Sequence, residues 1–304
     1  MTMPTVDYIW MDGKLVKWED AKVHVLTHAL HYGSGVFEGI RAYETPDGPA
    51  VFRLREHIER LFRSAKVYSM EIPYSVDDLV KATKETIVKN KVNSCYIRPI
   101  AFRGYGGMGL YPMNVPVSVS IAVWPWGSYL GEEGIEHGVR AKISSFQRND
   151  PNAIPPAAKA TGQYLNSILA KIEVVGAGYD EAVLMNSLGQ ISDGSGENIF
   201  AVRNSILYTP PIQSSALEGI TRDSIMRIAA DEGLQCKEQT LVRTDLYLAD
   251  ELFFTGTAAE IVPIREIDDR EIGEPGPITK KLQDIFFRTI KGQENKYSGW
   301  LEKV

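Results

Sequence analysis

Residues 154–164 read Ile-Pro-Pro-Ala-Ala-Lys-Ala-Thr-Gly-Gln-Tyr, with Lys159 at the centre. Most lysines lie on solvated faces among polar neighbours, whereas small or apolar residues flank this one just before a predicted helix. Small neighbours leave room for a planar ring. An apolar setting and a helix N-terminus both disfavour the ammonium form, and a nucleophilic lysine must be neutral. On these residues alone, a catalytic lysine and an ordinary lysine both remain open, and the ordinary role is the commoner one.

Length, composition and charge limit the class of protein. The 304 residues suffice for two domains or one large one. The hydrophobic fraction of 44% and the charged fraction of 24% are typical of globular proteins with a sizeable core. The formal net charge of −6 argues against a general nucleic-acid binder, because such a protein carries a basic patch.

The cysteines and the absence of long apolar runs indicate the compartment. Cys95 and Cys236 form no CxxC pair, which excludes a zinc ribbon and suggests no disulfide framework. Residues 1–8 are polar and lack the apolar core of a signal peptide. No run of about 18 apolar residues predicts a membrane span. We therefore expect a cytoplasmic protein without membrane or nucleic-acid partners.

Strand and helix patterns alternate along the chain and predict an α+β protein of two domains. Residues 8–16 are typical of a hairpin with a tight Asp12-Gly13 turn. Apolar residues at helical spacing predict a helix over 54–70, and Ser75 with Asp78 resembles a capping box. Further helices are predicted up to about residue 90 and near 161–175, 221–231 and 278–290, and strands near 96–102, 117–123, 139–146, 182–185 and 199–202.

A change of composition marks the domain boundary. Residues 125–138 are rich in glycine and aromatic residues, and acidic residues follow. We interpret this stretch as an interdomain loop. The sequence therefore predicts a small N-terminal α/β domain over 1–124, the loop over 125–138 and a larger C-terminal domain over 139–304.

A glycine motif at Gly104–Gly109 matches the G-x-G-x-x-G pattern of dinucleotide-binding proteins. Such a site needs a helix to begin at the motif, but Pro112 and Pro116 follow and no helical period appears. We therefore favour a loop. Glycine lets backbone approach a ligand closely, so this loop can still line a pocket.

Three histidines, His24, His28 and His31, have the spacing of metal ligands on one helix face. The sequence Tyr-Gly-Ser-Gly follows at 32–35 and indicates a loop instead. Packing histidines are therefore favoured over a metal site, and we expect no metal.

Two turns of small residues are candidate anion sites. Leu217–Asp223 places Gly219 and Thr221 at the start of an amphipathic helix, where backbone N–H groups and the helix dipole attract anions. An ordinary N-cap by Thr221 is the alternative. Thr255–Glu260 follows a predicted strand and exposes backbone donors suited to a phosphate or carboxylate, although a plain turn is also open.

Tyr96 and Arg98 are two residues apart in a predicted strand, so they share one face. Arginine binds a carboxylate through a bidentate fork. An exposed cross-strand ion pair is the alternative.

Taken together, these segments resemble the fold-type-IV pyridoxal 5′-phosphate (PLP) enzymes of the class IV aminotransferase family, specifically the bacterial-type branched-chain aminotransferases. The resemblance runs over nearly the whole chain. It is strongest in seven blocks that keep the family's order, namely residues 29–33, 36–41, 96–99, 157–160, 196–200, 219–222 and 255–260. It implies a two-domain α+β fold like that of D-amino-acid aminotransferase, with a pseudo-barrel in the larger domain, and PLP as cofactor.

The resemblance implies a branched-chain-amino-acid transaminase. Such an enzyme reversibly transfers the amino group of L-leucine, L-isoleucine or L-valine to 2-oxoglutarate, giving branched-chain 2-oxo acids and L-glutamate. This is the last step of branched-chain amino acid biosynthesis. A hydrophobic pocket discriminates by only about 1–3 kcal/mol per methylene, so several aliphatic substrates should share it.

The resemblance also assigns residues to the cofactor. Lys159 carries PLP covalently and moves the proton between the substrate Cα and the cofactor C4′. Tyr164 donates a hydrogen bond to the phenolic oxygen of the ring. The residues that bind the phosphate are Arg60, the backbone of Ile220 and Thr221, and Thr257. By spacing, however, Arg60 lies off the apolar stripe of its helix, so sequence alone predicts a surface residue.

Other residues are assigned to the substrate. The amides of Thr257 and Ala258, with Tyr96, bind the α-carboxylate. The residues that line an apolar side-chain pocket are Phe37, Trp126, Tyr129 and Tyr164.

Glutamate also needs a partner for its γ-carboxylate, and Arg98, helped by Tyr32 and Tyr129, is the candidate. Tyr32, with Met108 and Leu110, reaches in from a partner subunit. The resemblance therefore implies at least a homodimer, and a hexamer built as a trimer of dimers remains open.

Asp193 departs from the family, which usually has glutamate at this position. That carboxylate keeps the pyridine nitrogen protonated, so that the ring withdraws electrons from the substrate Cα. Aspartate is one methylene shorter. It can act through a water or after a small ring shift, or leave the task to Glu197. We favour Asp193 with altered geometry and expect weaker retention of the cofactor.

Other functions remain open on the sequence. A D-amino-acid or (R)-amine transaminase is the nearest alternative, although Tyr96-x-Arg98 with Phe37-Glu38-Gly39 favours the branched-chain enzymes. A nicotinamide oxidoreductase using Gly104–Gly109 and a non-catalytic binding module are alternatives of other classes. The preference among leucine, isoleucine and valine, and activity on aromatic amino acids, also remain open.

Overall fold

The computed structural model describes residues 4–127 and 129–304, which form two compact units. The first unit consists of the chain up to Trp126, Ala158–Gly162 and Thr289–Val304. The second unit consists of Gly127–Ala157 and Gln163–Arg288. The division differs from the predicted C-terminal domain of residues 139–304, because the segment around Lys159 and the end of the chain belong to the first unit.

The strands and helices alternate along the chain. The strands are β1 (Tyr8–Met11), β2 (Lys14–Lys17), β3 (Gly35–Phe37), β4 (Ile40–Thr45), β5 (Gly48–Phe52), β6 (Cys95–Arg103), β7 (Val117–Trp124), β8 (Val139–Gln147), β9 (Glu181–Met185), β10 (Ile191–Gly194), β11 (Asn198–Arg203), β12 (Ile206–Thr209), β13 (Cys236–Glu238), β14 (Glu251–Gly256), β15 (Glu260–Ile267), β16 (Arg270–Glu271) and β17 (Leu301–Lys303). The α-helices are α1 (His28–Tyr32), α2 (Leu54–Val67), α3 (Val76–Asn90), α4 (Gly131–His137), α5 (Tyr164–Gly176), α6 (Ile220–Asp231), α7 (Arg243–Tyr247) and α8 (Pro277–Ile290).

The first unit is built on an antiparallel sheet. Its strand order is β17-β5-β4-β6-β7-β1-β2, and β3 also pairs with β6. The apolar stripe of α2, including Leu54, Ile58 and Leu61, is fully buried in one core with the strand residues Ile97 and Ile121. Each such side chain contributes about 1.5–3 kcal/mol on burial, so this packing fixes α2 to the sheet.

The second unit is built on a mixed sheet with strand order β10-β9-β8-β15-β14-β11-β12-β13. β8 runs parallel to β9, and β12 runs parallel to β13. Parallel neighbours need a crossover connection, which α5 provides between β8 and β9, and α6 provides between β12 and β13. Both crossover helices begin with candidate site residues, since Tyr164 is the first residue of α5 and Ile220 and Thr221 are the first two of α6.

A short backbone ladder attaches the Lys159 segment to the first unit. The Phe37 N–H donates to the Lys159 carbonyl at 3.0 Å, and the Thr161 N–H donates to the Gly35 carbonyl at 2.9 Å. Gly162 N–H reaches the Gly33 carbonyl at 3.2 Å. Residues 158–162 thus pair antiparallel with β3, which explains why they belong to the first unit although the chain on either side of them belongs to the second.

Most predicted elements are confirmed. The Asp12-Gly13 hairpin joins β1 and β2, and Ser75 forms a capping box in which the Asp78 N–H donates to Ser75 Oγ at 3.1 Å. The predicted helix over 54–70 ends at Val67. Gly104–Gly109 forms no helix and lies in a loop, as predicted.

Three local predictions are wrong. The predicted interdomain loop contains α4, because its residues 131–137 form two helical turns. The histidine segment predicted as a loop forms the short helix α1, which ends at Gly33 in the left-handed region at φ 63°. Gly219, rather than Thr221, is the N-cap of α6. Among the described residues, no helix combines the length and hydropathy that crossing a bilayer requires.

We predict that Gly33→Ala weakens the attachment of the Lys159 segment. A Cβ at Gly33 would lie 2.7 Å from the Gly162 Cα, and the backbone at φ +63° already disfavours a side chain. The free energy of unfolding should fall by about 2–3 kcal/mol, since steric overlap adds to the cost of a left-handed alanine. Urea unfolding measures this loss.

Gly233→Ala is the matched control, because Gly233 has a similar φ of +70° but no atom within 4 Å of where a Cβ would lie. It should cost about 1 kcal/mol through backbone strain alone. Equal losses in the two variants would contradict the steric argument.

Candidate active site

The predicted site residues are distributed over both units. The first unit holds Tyr32, Phe37, Arg60, Tyr96, Arg98, Met108, Leu110, Trp126 and Lys159. The second unit holds Tyr129, Tyr164, Asp193, Glu197, Ile220, Thr221, Thr257 and Ala258.

Lys159 is held through its backbone on both sides. Its N–H donates to Ser64 Oγ at 3.0 Å, and its carbonyl accepts from the Phe37 N–H at 3.0 Å. Its neighbours Ala158 and Ala160 are buried, whereas Lys159 is half-buried. Lys159 Nζ lies 5.2 Å from the centre of the Phe37 ring. The backbone of Lys159 is therefore held in place, and an aromatic ring lies near its amine. Both features suit a lysine that attaches a cofactor covalently.

Arg60 is buried, so the surface position predicted from its helical spacing is wrong. Its side chain is only 5% exposed, and Glu38 is fully buried. Arg60 Nε donates to Glu38 Oε1 at 2.6 Å, and Nη2 donates to Glu38 Oε2 at 2.8 Å. A buried cation is tolerated when a carboxylate pairs with it, and hydrophobic spacing does not reveal such a partner.

His57 completes this buried cluster. Burial lowers the pKa of His57, and the charges of Arg60 and Lys159 lower it further against the opposing effect of Glu38. His57 is therefore neutral near pH 7, and its Nδ1–H donates to Glu38 Oε2 at 2.8 Å. Burial alone raises the pKa of Glu38, but the Arg60 charge and the hydrogen bonds from Arg60 and His57 outweigh it and hold that pKa below its ordinary value.

Arg98 lies in an aromatic environment. Its guanidinium carbon is 4.8 Å from the centre of the Phe37 ring and 5.2 Å from that of Tyr96. The Tyr96 ring in turn contacts Trp126 at 4.7 Å between centroids. Arg98 Nε is buried and has no hydrogen-bond acceptor among the described residues. An unpaired buried donor is unfavourable, so this arginine is suited to receive a carboxylate.

The loop that carries Met108 and Leu110 is tied to α1. Tyr32 Oη donates to the Met108 carbonyl at 3.0 Å, and His28 Nε2 donates to the Gly109 carbonyl at 3.0 Å. The Leu110 side chain is 87% exposed. His28 therefore has a packing role in this loop, which agrees with the interpretation favoured by the sequence.

In the second unit, the end of β10 and the turn that joins it to β11 carry the two candidate carboxyl groups, Asp193 and Glu197. The pairing of β10 with β9 shifts register between Ile191 and Asp193, so Ser192 is an extra residue. Such a bulge changes the direction of the side chain that follows. The Gly194 N–H closes the turn by donating to the Glu197 carbonyl at 2.6 Å.

A cavity of about 40 Å³ lies beside the turn between β10 and β11. It has room for roughly two or three waters, since each needs at least 10–15 Å³. The lining residues are Arg148, Pro156, Gln163, Tyr164, Ser167, Asp193, Ser195, Gly196, Glu197, Asn198 and Leu217. Both carboxyl groups and the predicted Tyr164 thus meet at one cavity. Gln163 Oε1 is buried there without a donor among the described residues.

Asp193 pairs with Arg148, a residue that the sequence analysis missed. Arg148 Nε and Nη2 lie 2.8 Å and 2.7 Å from Asp193 Oδ1. Arg148 also donates to Ser167 Oγ at 3.0 Å and to the Gly194 carbonyl at 2.5 Å. Burial raises the pKa of Asp193, and the Arg148 charge opposes this shift only in part, so the pKa stays above its ordinary value. Arg148 therefore both fixes the carboxylate and favours its charged form.

Glu197 has a different electrostatic environment. Burial, and then the charge of Glu181, raise the pKa of Glu197 to about 8. The Gly196 N–H donates to Glu197 Oε2 at 3.0 Å and opposes the shift only in part. Glu181 is itself paired with Lys171 Nζ at 2.6 Å. Glu197 therefore holds its proton near pH 7.

Asn198 connects the two candidate anion turns. Its Nδ2 donates to the Leu217 carbonyl at 2.9 Å, just before α6, and its backbone pairs with Thr255 of β14. A Cβ at Gly219 would lie 1.9 Å from Asn198 Oδ1, so only glycine allows this approach. The start of α6, with Ile220 and Thr221, is thus fixed near the end of β14.

Thr257 and Ala258 lie in the turn between β14 and β15 and are half-buried. The turn is closed by the pairing of Gly256 with Glu260, which has a left-handed backbone at φ 61°. Beside it, a Cβ at Gly256 would lie 3.5 Å from the Glu197 Cγ. The second predicted anion turn, Thr255–Glu260, is therefore adjacent to the turn between β10 and β11 that carries Glu197.

The chain matches the amino-transferase class IV family over residues 35–267. It is 50% identical to the branched-chain-amino-acid aminotransferase of Escherichia coli strain K12, over 100% of this chain and 99% of the relative. A relative from Pseudomonas aeruginosa with the same name is 48% identical, over 96% and 95% of the two chains.

Solved structures agree with these relatives. The crystal structure of the Escherichia coli branched-chain amino acid aminotransferase has a TM-score of 0.96 and 49% identity, covering 98% of this chain and 99% of that chain. The branched-chain amino acid aminotransferase from Thermobaculum terrenum, solved in its PLP-bound holo form, has a TM-score of 0.91 and 36% identity, covering 98% of each chain.

We predict that Glu197 makes the cofactor-free protein less stable as the pH rises. The pKa of this carboxyl group is ordinarily 4.5, as in the unfolded chain, and it is raised to about 8 in the folded protein. A raised folded pKa gives stability that is complete below the unfolded pKa and is lost as the pH rises through the folded one. The loss should be about 5 kcal/mol, spread between roughly pH 5 and 8.

Glu197→Gln should remove this part of the pH dependence, because glutamine does not ionise. Urea unfolding of both proteins across this pH range measures the difference. Parallel stability curves for wild type and variant would show that Glu197 titrates normally.

Proposed function

Since the chain belongs to the class IV aminotransferase family, we propose that it catalyses PLP-dependent transamination of L-leucine, L-isoleucine and L-valine with 2-oxoglutarate. The products are branched-chain 2-oxo acids and L-glutamate, and the reaction is the last step of branched-chain amino acid biosynthesis. The observation that carries this proposal is the 50% identity, over the full chain, to an enzyme of that name.

The proposed attachment site of PLP is Lys159. When bound, PLP withdraws electrons from the substrate Cα and so stabilises negative charge there. Lys159 moves the proton between Cα and C4′, for which its amine must be neutral. Its backbone contacts to Ser64 and Phe37 support this role, because they hold the lysine at a fixed place.

For the pyridine nitrogen we propose Asp193 rather than Glu197. The Arg148 charge partly offsets the burial that raises the pKa of Asp193, whereas the Glu181 charge adds to the effect of burial on Glu197, whose pKa is raised to about 8. Asp193 is therefore the better acceptor for a protonated ring nitrogen. Tyr164, at the same cavity, is proposed to donate to the phenolic oxygen. Because aspartate is shorter than glutamate, we expect weaker retention of the cofactor.

The proposed phosphate ligands are an arginine, a helix N-terminus and a turn. They are Arg60, the backbone of Ile220 and Thr221, and Thr257. The helix dipole of α6 favours an anion at its start, and no side chain caps this helix at Gly219.

For the substrate α-carboxylate we propose the amides of Thr257 and Ala258, together with Tyr96. Arg98, with Tyr32 and Tyr129, is proposed for the γ-carboxylate of glutamate. The buried Arg98 Nε supports this assignment, because it has no acceptor among the described residues. The proposed walls of the apolar pocket are Phe37, Trp126, Tyr129 and Tyr164.

We also propose that the chain forms at least a homodimer in the cytoplasm, in which Tyr32, Met108 and Leu110 reach the partner's site; a hexamer built as a trimer of dimers remains open. An exposed apolar face on α5 supports association. Its residues are Leu165, Ile168, Leu169, Ile172 and Val175. Contiguous apolar patches of this kind mark interaction sites.

Both cysteines are free, which fits the reducing compartment proposed for this protein.

Borohydride trapping tests the attachment site. After reconstitution with PLP and reduction, peptide mass mapping should find the pyridoxyl label on Lys159 and none on a Lys159→Ala variant. A substrate panel with both enantiomers of each amino acid should show activity on the L-forms of leucine, isoleucine and valine. A label on another lysine, or a preference for D-amino acids, would overturn the proposal.

Arg98→Ala should separate the two classes of substrate. We expect the KM for 2-oxoglutarate to rise by about tenfold or more, because a charge-assisted bond to its γ-carboxylate is lost. The KM for 4-methyl-2-oxopentanoate, which lacks that carboxylate, should change much less. Steady-state kinetics with both oxo acids measures the ratio, and equal increases would argue against this role.

A further inference from the structure

Glu38 is a fully buried carboxylate that has no assigned contact with substrate or cofactor. It lies directly after β3 and accepts hydrogen bonds from Arg60 Nε, from Arg60 Nη2 and from His57 Nδ1. Burying a charge is costly unless hydrogen bonds and an opposite charge compensate it. Packing alone therefore does not explain why a charged residue is buried at this position.

One face of α2 connects Glu38 to the proposed cofactor site. His57, Arg60 and Ser64 are spaced three and four residues apart, so they share this face. Ser64 Oγ accepts the N–H of Lys159 at 3.0 Å, while His57 and Arg60 both donate to Glu38. The same helix face thus holds the backbone of the attachment lysine and the guanidinium of Arg60.

The backbone on the other side is equally fixed. The Glu38 N–H donates to the Pro99 carbonyl at 2.9 Å, and the preceding Phe37 N–H donates to the Lys159 carbonyl at 3.0 Å. Two consecutive residues therefore connect β6, the Lys159 segment and, through the Glu38 side chain, Arg60. These contacts link the position of Arg60 to that of the Lys159 backbone.

We propose that Glu38 is a positioning residue that orients the Arg60 guanidinium to bind the phosphate group of PLP. This inference rests on the proposed function, in which Arg60 is a phosphate ligand. Glu38 engages Nε and Nη2 at one edge of the guanidinium plane. A guanidinium presents its donors in a fixed fork, so fixing one edge also fixes the direction of the other.

Two physical effects predict opposite results when Glu38 loses its charge. As a counter-ion, Glu38 offsets the Arg60 charge, so neutralising it would strengthen phosphate binding. As an orienting group, Glu38 removes the rotational freedom of a long side chain before the phosphate arrives, so neutralising it would weaken binding. We expect orientation to dominate, because the Glu38 carboxylate holds both Nε and Nη2 of Arg60, and a neutral side chain holds the guanidinium less firmly.

Glu38→Gln tests this inference. The glutamine keeps one acceptor for Arg60 Nε but places an NH₂ group opposite Arg60 Nη2 and His57 Nδ1. The bond from Arg60 Nη2 is therefore lost, and His57 keeps its contact only as the tautomer that accepts at Nδ1. The dissociation constant for PLP should rise by about tenfold, as expected for a lost bond to a charged group. The dissociation constant for pyridoxal, which lacks the phosphate, should stay within about twofold of wild type. Visible absorbance titration of the cofactor-free enzyme measures both constants.

Glu251→Gln is the matched control. Glu251 is also a buried glutamate, and it accepts hydrogen bonds from the Ile278 N–H and from both the N–H and the Oγ1 of Thr279. This variant should lower stability without changing the ratio of the two dissociation constants. If Glu38→Gln does not fold, Glu38→Asp replaces it, with the same expected direction because its shorter carboxylate displaces the guanidinium.

The outcomes separate the two proposals. Tighter PLP binding by the Glu38 variant, or equal losses for PLP and pyridoxal, would overturn the positioning role. In an Arg60→Ala background, Glu38→Gln should cause little further loss, and an undiminished loss would also overturn it. The wild-type protein is labelled first, by reconstitution with PLP and borohydride reduction. If it then carries no label on Lys159, the proposed function itself fails, whatever the variants show.

Discussion

The structure depends on the backbone hydrogen bonds that fix the Lys159 segment to β3. A lysine on an unattached loop has no defined position, and a covalent cofactor needs one. Here the Phe37 N–H and Ser64 Oγ hold both sides of the Lys159 peptide unit. Both partners belong to the packed core of the first unit, through β3 and α2. The rigidity of that core therefore fixes the backbone from which the side chain of the proposed attachment lysine extends.

Electrostatic pairing is the second constraint. The buried acids are distinguished by their partners, since Glu38 and Asp193 each face an arginine, whereas Glu197 faces the acidic Glu181. The pKa of Glu38 is therefore lowered while that of Glu197 is raised to about 8, although both are buried glutamates. Enzymes often assign roles to paired acids in this way, and the assignment follows from neighbours that are distant in sequence.

The sequence predicted the elements well because each has a local signal, such as the helical period of α2 or the Ser75 capping box. It could not predict the burial of Arg60, because the partner Glu38 is 22 residues away and hydrophobic spacing records only apolar contacts. Arg148 was missed for the same reason, being 45 residues from Asp193. The spacing of His57, Arg60 and Ser64 was a visible signal, since all three lie on one helical face. The site residues that came from family resemblance could not have been chosen by spacing alone.

The course of the chain also limits how this protein can be divided. Residues 158–162 belong to the first unit, although the sequence on either side of them belongs to the second. A fragment that began at Gly127 would carry this segment without β3, leaving the N–H groups of Thr161 and Gly162 without their carbonyl partners. The complementary fragment would lose β17 from the edge of β5. Recombining halves of related enzymes at this boundary would therefore have to transfer three separate pieces of chain together.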